Sequence, residues 1–171
     1  MRRTLAGAAR TGEITMALEV IGRDGSHSIS RTQLIRRPGL ELYRVLQGVH
    51  HWPKFMPFLA AVLEQGKRSR WCLKDGSEWV MEQTHDILGR SLAWRGIGGE
   101  SAPSVVTVHV HGVPIPGSAE VRVAWRFEAG PARPPGVFRS AALALDEALE
   151  VFRILMEVRR TAATAVPLRI I

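Results

Sequence analysis

The sequence is poor in cysteine and has no long apolar run. Cys72 is the only cysteine among 171 residues, so neither an intrachain disulfide nor a cysteine-based structural zinc site can form. No segment reaches the roughly 18 apolar residues that a membrane span needs, and the basic start lacks the apolar centre of a signal peptide. We therefore expect a cytoplasmic protein without stable membrane insertion, for which Met16 is an alternative natural start.

The chain also lacks a net charge on its central part. Its formal charge is +7, but six arginines lie in end segments that contain no acidic residue, and without them 17 basic residues face 16 acidic ones. A phosphate-binding body needs its excess charge on a folded face. We expect no nucleic-acid partner. The 46% hydrophobic content is enough for the core of one domain.

Three segments are distinguished along the chain. Residues 1–25 carry four glycines and no clear period, which indicates a loose leader with a short strand near residues 14–21. Residues 26–158 form the predicted domain, and 159–171 a tail. Within the domain, residues 28–35 are typical of a strand, and Pro38 opens a helix that Gly48 ends. Residues 52–59 predict a second short helix that Pro57 stops.

Alternation of apolar and polar residues then predicts six successive strands, at 60–65, 68–74, 78–87, 91–96, 105–111 and 120–128. Charged residues occupy one face only, as in an antiparallel sheet that is covered on one side. The cover is a long helix, because apolar residues recur every three or four positions at Phe138, Ala142, Leu145, Leu149, Phe152 and Met156.

This order resembles the START-like (SRPBCC) superfamily of helix-grip proteins, which includes polyketide cyclases and dehydrases, coenzyme Q-binding proteins and plant lipid-binding allergens. The matching stretches are residues 38–46, 52–57, 70–71, 78–79, 92–95 and 152–157. The resemblance implies an α+β fold, in which a seven-stranded antiparallel sheet curves around the C-terminal helix over a hydrophobic cavity. Two short helices would lie between strands 1 and 2.

Two glycine- and proline-containing stretches depart from the bacterial pattern, Gly96–Gly99 and Gly112–Gly117. Both are expected in loops at the sheet rim. Ligand preference therefore does not transfer from relatives.

A space between a sheet and a helix suits an apolar ligand that a few polar groups orient. The expected ligand-contacting residues are aromatic, aliphatic and histidine side chains on the cavity side, namely Trp52, Met56, Phe58, Trp71, Trp79, Met81, His85, Trp94, Phe138, Leu145 and Leu149. Each apolar one is equally at home as ordinary core.

Catalytic candidates are few. His85 shares a strand face with Trp79 and Met81 by the two-residue period, so it is a candidate to orient a carbonyl or to move a proton. In a cyclase, His85 and Arg95 are the candidates to assist enolisation and loss of water. His109 and His111 share a strand side without a third ligand, so no metal is expected, and no cofactor either.

Three functions stay open from sequence. The first is binding of a hydrophobic small molecule such as a lipid, quinone or polyketide. The second is a polyketide cyclase, aromatase or dehydrase, and the third is an interaction domain whose groove receives a peptide or subunit. A homodimer is compatible with all three.

Overall fold

A single antiparallel sheet forms the body of the computed structural model, which describes residues 16–99, 102–128 and 136–163. The strands run in the spatial order β1-β2-β8-β7-β6-β5-β4-β3. Their bounds are β1 Met16–Ile21, β2 His27–Ile35, β3 Leu59–Gln65, β4 Arg68–Leu73, β5 Glu78–Ile87, β6 Ser91–Gly98, β7 Val105–Gly112 and β8 Ala119–Phe127.

The helix-grip prediction is confirmed. The seven strands from β2 to β8 are the expected antiparallel sheet, and β1 pairs with the edge of β2 to make eight. Strand β1 falls in the segment where we expected a leader with a short strand, and residues 1–15 of that leader lie outside the described residues. Each expected strand of the domain appears within one or two residues of its predicted bounds.

Two short helices separate β2 from β3, as the resemblance implied. Helix α1 spans Gly39–Gln47, and Gly48 ends it. The second is a 3-10 helix at Val49–Lys54, so the prediction of residues 52–59 was wrong in its bounds. Pro53 lies inside this helix, where a missing backbone N–H costs little in a single short turn. The chain then turns through Pro57 and enters β3.

Helix α2, Gly136–Ala163, covers the inner face of the sheet. Its residues Leu145, Leu149, Phe152 and Met156 are buried, which confirms the predicted stripe over this part of the helix. The backbone of Phe138 belongs to α2, but its side chain lies outside the described residues.

Polar contacts fix α2 along β2. Buried Arg31 of β2 donates a hydrogen bond to the carboxylate of Asp146. Near the end of β2, the Arg37 Nε donates to the carbonyl oxygen of Met156 at 2.7 Å. The C-terminal half of α2 therefore lies over the end of β2 that leads to α1, and its N-terminal half points the other way.

Candidate functional site

All five tryptophans of the chain meet on the inner face of the sheet. Their rings form a connected cluster, in which centroid distances are 5.0 Å between Trp52 and Trp71, 5.2 Å between Trp52 and Trp94, and 6.1 Å between Trp79 and Trp125. These three pairs meet edge to face, an arrangement that aromatic rings prefer to direct stacking. The structure thus brings together most of the predicted ligand-contacting residues.

The 3-10 helix places Trp52 at the centre of this cluster. Trp52 is fully buried, and its indole N–H donates to the carbonyl oxygen of Leu46 at 2.9 Å. Trp71 is held in a similar way, with its indole N–H on the Ser69 hydroxyl at 2.8 Å. We call Trp52, Trp71 and Trp94 the Trp52 group.

The Trp52 group and its neighbours are closely packed. Trp52, Trp71, Met81 and Leu145 are 0% exposed, and Met56 is 1% exposed. A side chain without exposure borders no space that could hold a water molecule. Contact with a ligand would therefore require these side chains, and with them Trp94 and Leu149 at 2%, to move, and their ligand-contacting role stays a prediction.

A second part of the cluster, which we call the Trp125 group, consists of Phe58, Trp79 and Trp125. The Phe58 ring lies 5.4 Å from that of Trp125 and 5.6 Å from that of Trp79. Phe58 is only partly buried, and Trp79 is 5% exposed. This side of the cluster is therefore the less tightly closed one.

The indole N–H of Trp125 has no hydrogen-bond partner in the part of the chain that the structure describes, although Trp125 is only 2% exposed. Most buried polar groups in proteins are hydrogen-bonded, and one left unpaired costs about 1–3 kcal/mol. Trp125 is as little exposed as Trp94, so the oxygen of a bound molecule would reach this donor only if a neighbouring side chain such as partly buried Phe58 moved. An oxygen that did reach it would be stabilised by the hydrogen bond. Trp125 alternates with mostly polar residues along β8, so its inward orientation follows from the two-residue period of a strand, but it is not among the predicted ligand-contacting residues.

His85 lies on the outer face of the sheet, so the expectation that it shares a face with Trp79 and Met81 was wrong. The pairing of β5 with β6 shifts register between Gln83 and His85, which turns the residues after the shift to the opposite side. His85 is exposed, and its Nε2 lies 2.9 Å from the Ser91 hydroxyl.

Arg95 is also exposed on the outer face, where it donates to Glu82 at 2.8 Å. Glu82 also accepts from Arg68, and these two arginine hydrogen bonds lower the pKa of the Glu82 carboxyl. Neither of the two catalytic candidates therefore reaches the interior in this structure.

Two polar pairs on the covered side were not predicted. One is Arg31 with Asp146, described above. In the other, buried Tyr43 of α1 donates its hydroxyl to Asp86, near the end of β5. Burial first, and then the hydrogen bond and charge of Asp86, raise the pKa of Tyr43 to about 12. The phenol therefore stays protonated at neutral pH and acts as a donor.

The outer face carries the remaining histidine pair. The rings of His109 and His111 are stacked, with centroids 5.9 Å apart. Burial lowers the pKa of His109, and the positive charges of His111, Arg122 and His85 lower it further. Within residues 16–99, 102–128 and 136–163, no three His, Cys, Asp or Glu side chains are arranged to hold a metal ion.

The first departure from the family pattern, Gly96–Gly99, was expected in a loop, and this was wrong for most of it, because β6 continues to Gly98. Its glycines have a steric reason. The β6–β7 loop folds back onto β6, and a Cβ on Gly96 would lie 2.3 Å from the carbonyl oxygen of Pro103. Gly99 has a positive φ of 104°, and a Cβ there would meet the carbonyl oxygen of Glu78, also at 2.3 Å. These glycines therefore let the backbone at buried Pro103 approach β6, and let the chain at Gly99 pass close to the backbone of Glu78 in β5.

Sheet, covering helix and aromatic interior together define a helix-grip protein of the START-like superfamily. Residues 26–152 match the family described as "Polyketide cyclase / dehydrase and lipid transport". The chain belongs to this family. A search of curated proteins found no match.

Solved structures with the same fold include three from bacteria. The Zhui aromatase/cyclase from Streptomyces sp. R1128 is similar with a TM-score of 0.68 and 16% identity, over 82% of this chain and 99% of that one. A START superfamily protein from Mycobacterium smegmatis has a TM-score of 0.62 and 12% identity, over 75% and 98%. A Deinococcus radiodurans protein has 0.60 and 24%, over 77% and 98%. At these identities the likeness concerns the fold alone.

Among the described residues, no helix is both long and apolar enough to cross a membrane.

Proposed function

We propose that the protein binds a hydrophobic small molecule between the sheet and α2, and that an oxygen of this molecule accepts the hydrogen bond of Trp125. The unpaired indole N–H carries the proposal. Membership of a family described by polyketide chemistry and lipid transport supports it, because both involve apolar molecules with oxygen atoms. Lipids, quinones and polyketides all satisfy this description.

The Trp125 group is the proposed contact surface. A carbonyl or phenol oxygen beside Trp125 would recover about 1–3 kcal/mol that the unpaired donor costs. Partly buried Phe58 and slightly exposed Trp79 lie against Trp125 and supply apolar contact. The Trp52 group would form the wall behind them, as would Leu145 and Leu149 on the helix side. The single cysteine remains the reason for proposing the cytoplasm as the compartment.

The first experiment is mass spectrometry of small molecules that copurify with the native protein. The second compares anthraquinone with anthracene, which have the same ring skeleton but differ in two carbonyl oxygens, by quenching of tryptophan fluorescence. We expect saturable binding of both and a preference for anthraquinone. Absence of saturable binding, together with no copurified apolar molecule, would contradict the proposal.

The role of Trp125 is tested separately by Trp125→Phe. We expect the preference for anthraquinone over anthracene to fall about tenfold in this variant, since it removes one hydrogen bond. The matched control is Trp52→Phe, because the indole N–H of Trp52 is already bonded to Leu46. An equal loss in both variants would show that the donor of Trp125 has no special role.

A polyketide cyclase or dehydrase is the second candidate, favoured by the family description and the fold shared with an aromatase/cyclase. Such catalysis would come largely from holding a reactive chain in the productive conformer. Because His85 and Arg95 lie on the outer face, we expect the double variant His85→Ala, Arg95→Ala to cyclise a poly-β-ketone chain at the wild-type rate. A lower cyclisation rate in that variant, with unchanged stability, would show that these residues contribute to catalysis after all.

A further inference from the structure

One end of the sheet exposes apolar side chains on neighbouring turns. Leu88, in the β5–β6 turn, is 75% exposed, and Ile87 before it is 46% exposed. Ile115 in the β7–β8 loop is 52% exposed, and Leu40 at the start of α1 is 44% exposed. We call Leu40, Ile87, Leu88 and Ile115 the apolar tips. These residues come from three separate segments of the chain, so only the fold places them at the same end of the sheet.

The register of the strands places these segments side by side. Ser91, at the start of β6, pairs with His109 of β7, and His111 pairs with Glu120 across the β7–β8 hairpin. The two turns are therefore adjacent at one end of the sheet. Leu40 joins them, because a Cβ on Gly89 would lie 3.7 Å from its Cδ1 atom.

An open depression of about 550 Å³ lies between the β5–β6 turn and the end of β7. Its lining includes Arg90, His109 and His111 but no carboxylate. Among the described residues, neither Arg90 nor Arg122, which pairs with His109 in the next strand, is in a salt bridge. Glu120, opposite His111, is the one acidic residue that the register brings to the rim of this depression.

The positive charge beside the depression comes from arginines. Burial first, and then the neighbouring charges of His111, Arg122 and His85, lower the pKa of His109, so this ring is neutral at pH 7. An anion in the depression would be attracted by Arg90 and Arg122. The sequence already distinguished this end, because Gly112–Gly117, with two prolines and no charge, departs from the family pattern.

Apolar side chains on turn tips beside basic residues are suited to the interface of a bilayer. Insertion of leucine and isoleucine side chains into the headgroup region is favourable, and nearby basic residues are attracted to anionic headgroups. An acidic protein would match the charges, but it would not by itself account for four apolar side chains exposed around them. We propose that this end of the protein docks on lipid surfaces that carry anionic headgroups, with the apolar tips inserted and a headgroup phosphate in the depression beside Arg90 and His111.

The proposal concerns the outside of the protein and does not depend on a ligand in the interior. The test is cosedimentation of the full chain with vesicles of phosphatidylcholine alone and of phosphatidylcholine mixed with phosphatidylglycerol. We expect clear binding to the mixed vesicles and weak binding to the neutral ones. No binding to mixed vesicles would overturn the proposal.

Variants with matched controls locate the contact. Leu88→Ser should reduce partitioning of the protein onto the mixed vesicles about tenfold, since it removes one inserting side chain. Arg90→Gln should reduce partitioning about fivefold, and only on the anionic vesicles. The controls are Leu143→Ser, 63% exposed on the N-terminal half of α2, and Lys74→Gln in the β4–β5 turn at the opposite end. Controls that lose as much binding as Leu88→Ser would overturn the proposed surface.

The same variants distinguish a second copy of the chain from a membrane. Analytical ultracentrifugation of wild type and Leu88→Ser is run without lipid. A dimer that Leu88→Ser converts to monomer, in a protein that does not bind vesicles, would assign the apolar tips to self-association and overturn the proposal. A monomer in both cases, with vesicle binding lost only in the variant, supports it.

Discussion

The Trp52 group and the Trp125 group lie on the same inner face of one sheet, yet they differ in the hydrogen bonding of their indole N–H groups. In the first, the indole N–H groups of Trp52 and Trp71 are bonded to Leu46 and Ser69. In the second, the N–H of Trp125 has no partner in the described part of the chain. The difference teaches that burial alone does not distinguish the two groups, because only the hydrogen bonding of the indole N–H separates a satisfied core tryptophan from the one at the proposed contact surface.

The largest effect is expected for Trp52→Ala. Trp52 contacts Phe55, Trp71 and Trp94, and its removal leaves a large cavity as well as an unpaired carbonyl at Leu46. We expect a loss of about 3–5 kcal/mol in the free energy of unfolding, measured in urea. A loss under about 1 kcal/mol would show that the Trp52 group is not closely packed in solution.

The hydrogen bond from Arg31 of β2 to Asp146 is one of the polar contacts that hold α2 on the sheet. Asp146→Asn would leave the buried guanidinium without its charged partner, and we expect a loss of about 1–3 kcal/mol. The neighbouring Glu147→Gln is the control, because Glu147 is exposed and should change stability by less than about 0.5 kcal/mol. Equal urea midpoints for the two variants would argue against the ion pair.

A direct comparison of the two groups uses Trp52→Phe and Trp125→Phe, which remove similar volumes. Trp52→Phe breaks a hydrogen bond and leaves its acceptor unpaired, whereas Trp125→Phe removes a donor that is already unpaired. We expect Trp52→Phe to be less stable than Trp125→Phe by about 1–2 kcal/mol in the absence of ligand. The opposite order in urea unfolding would mean that Trp125 has a partner in solution.

The smallest effect at neutral pH concerns another buried aromatic donor, Tyr43, whose acceptor is the Asp86 carboxylate. Tyr43 is the only tyrosine, so the ultraviolet absorbance of tyrosinate reports on it alone. We expect a midpoint near pH 12 in the folded protein and near 10 in the unfolded chain. Because the folded pKa is the higher one, the contribution of Tyr43 to stability is present below pH 10 and is lost as pH rises towards 12.

The control for this titration is Asp86→Asn, which keeps an acceptor but removes the charge. The Tyr43 midpoint should fall in the variant yet stay above 10, since burial is the larger cause of the shift. An unshifted midpoint in the folded wild-type protein would contradict both the burial of the phenol and its contact with Asp86.

The sequence by itself determined most of the elements and the covered face of the sheet at β7 and β8. Alternation in β7 and β8 and the spacing of Leu145, Leu149 and Phe152 are local patterns, and they gave the strands, the covered face and the long helix. The helix end at Gly48 was also local. The second helix was predicted too late in the chain, because Pro53 fits inside a short 3-10 turn as well as at the start of an α-helix.

Only the tertiary structure decided which side chains form a site. The register shift between Gln83 and His85 depends on the pairing of two strands, so the two-residue period placed His85 on the wrong face. Whether Trp52 or Trp125 has a hydrogen-bond partner depends on the chain that folds over each of them. The exposed tips at Leu40, Leu88 and Ile115 become neighbours only when the sheet forms, because hydrophobic pattern records what each segment buries and not which segments meet.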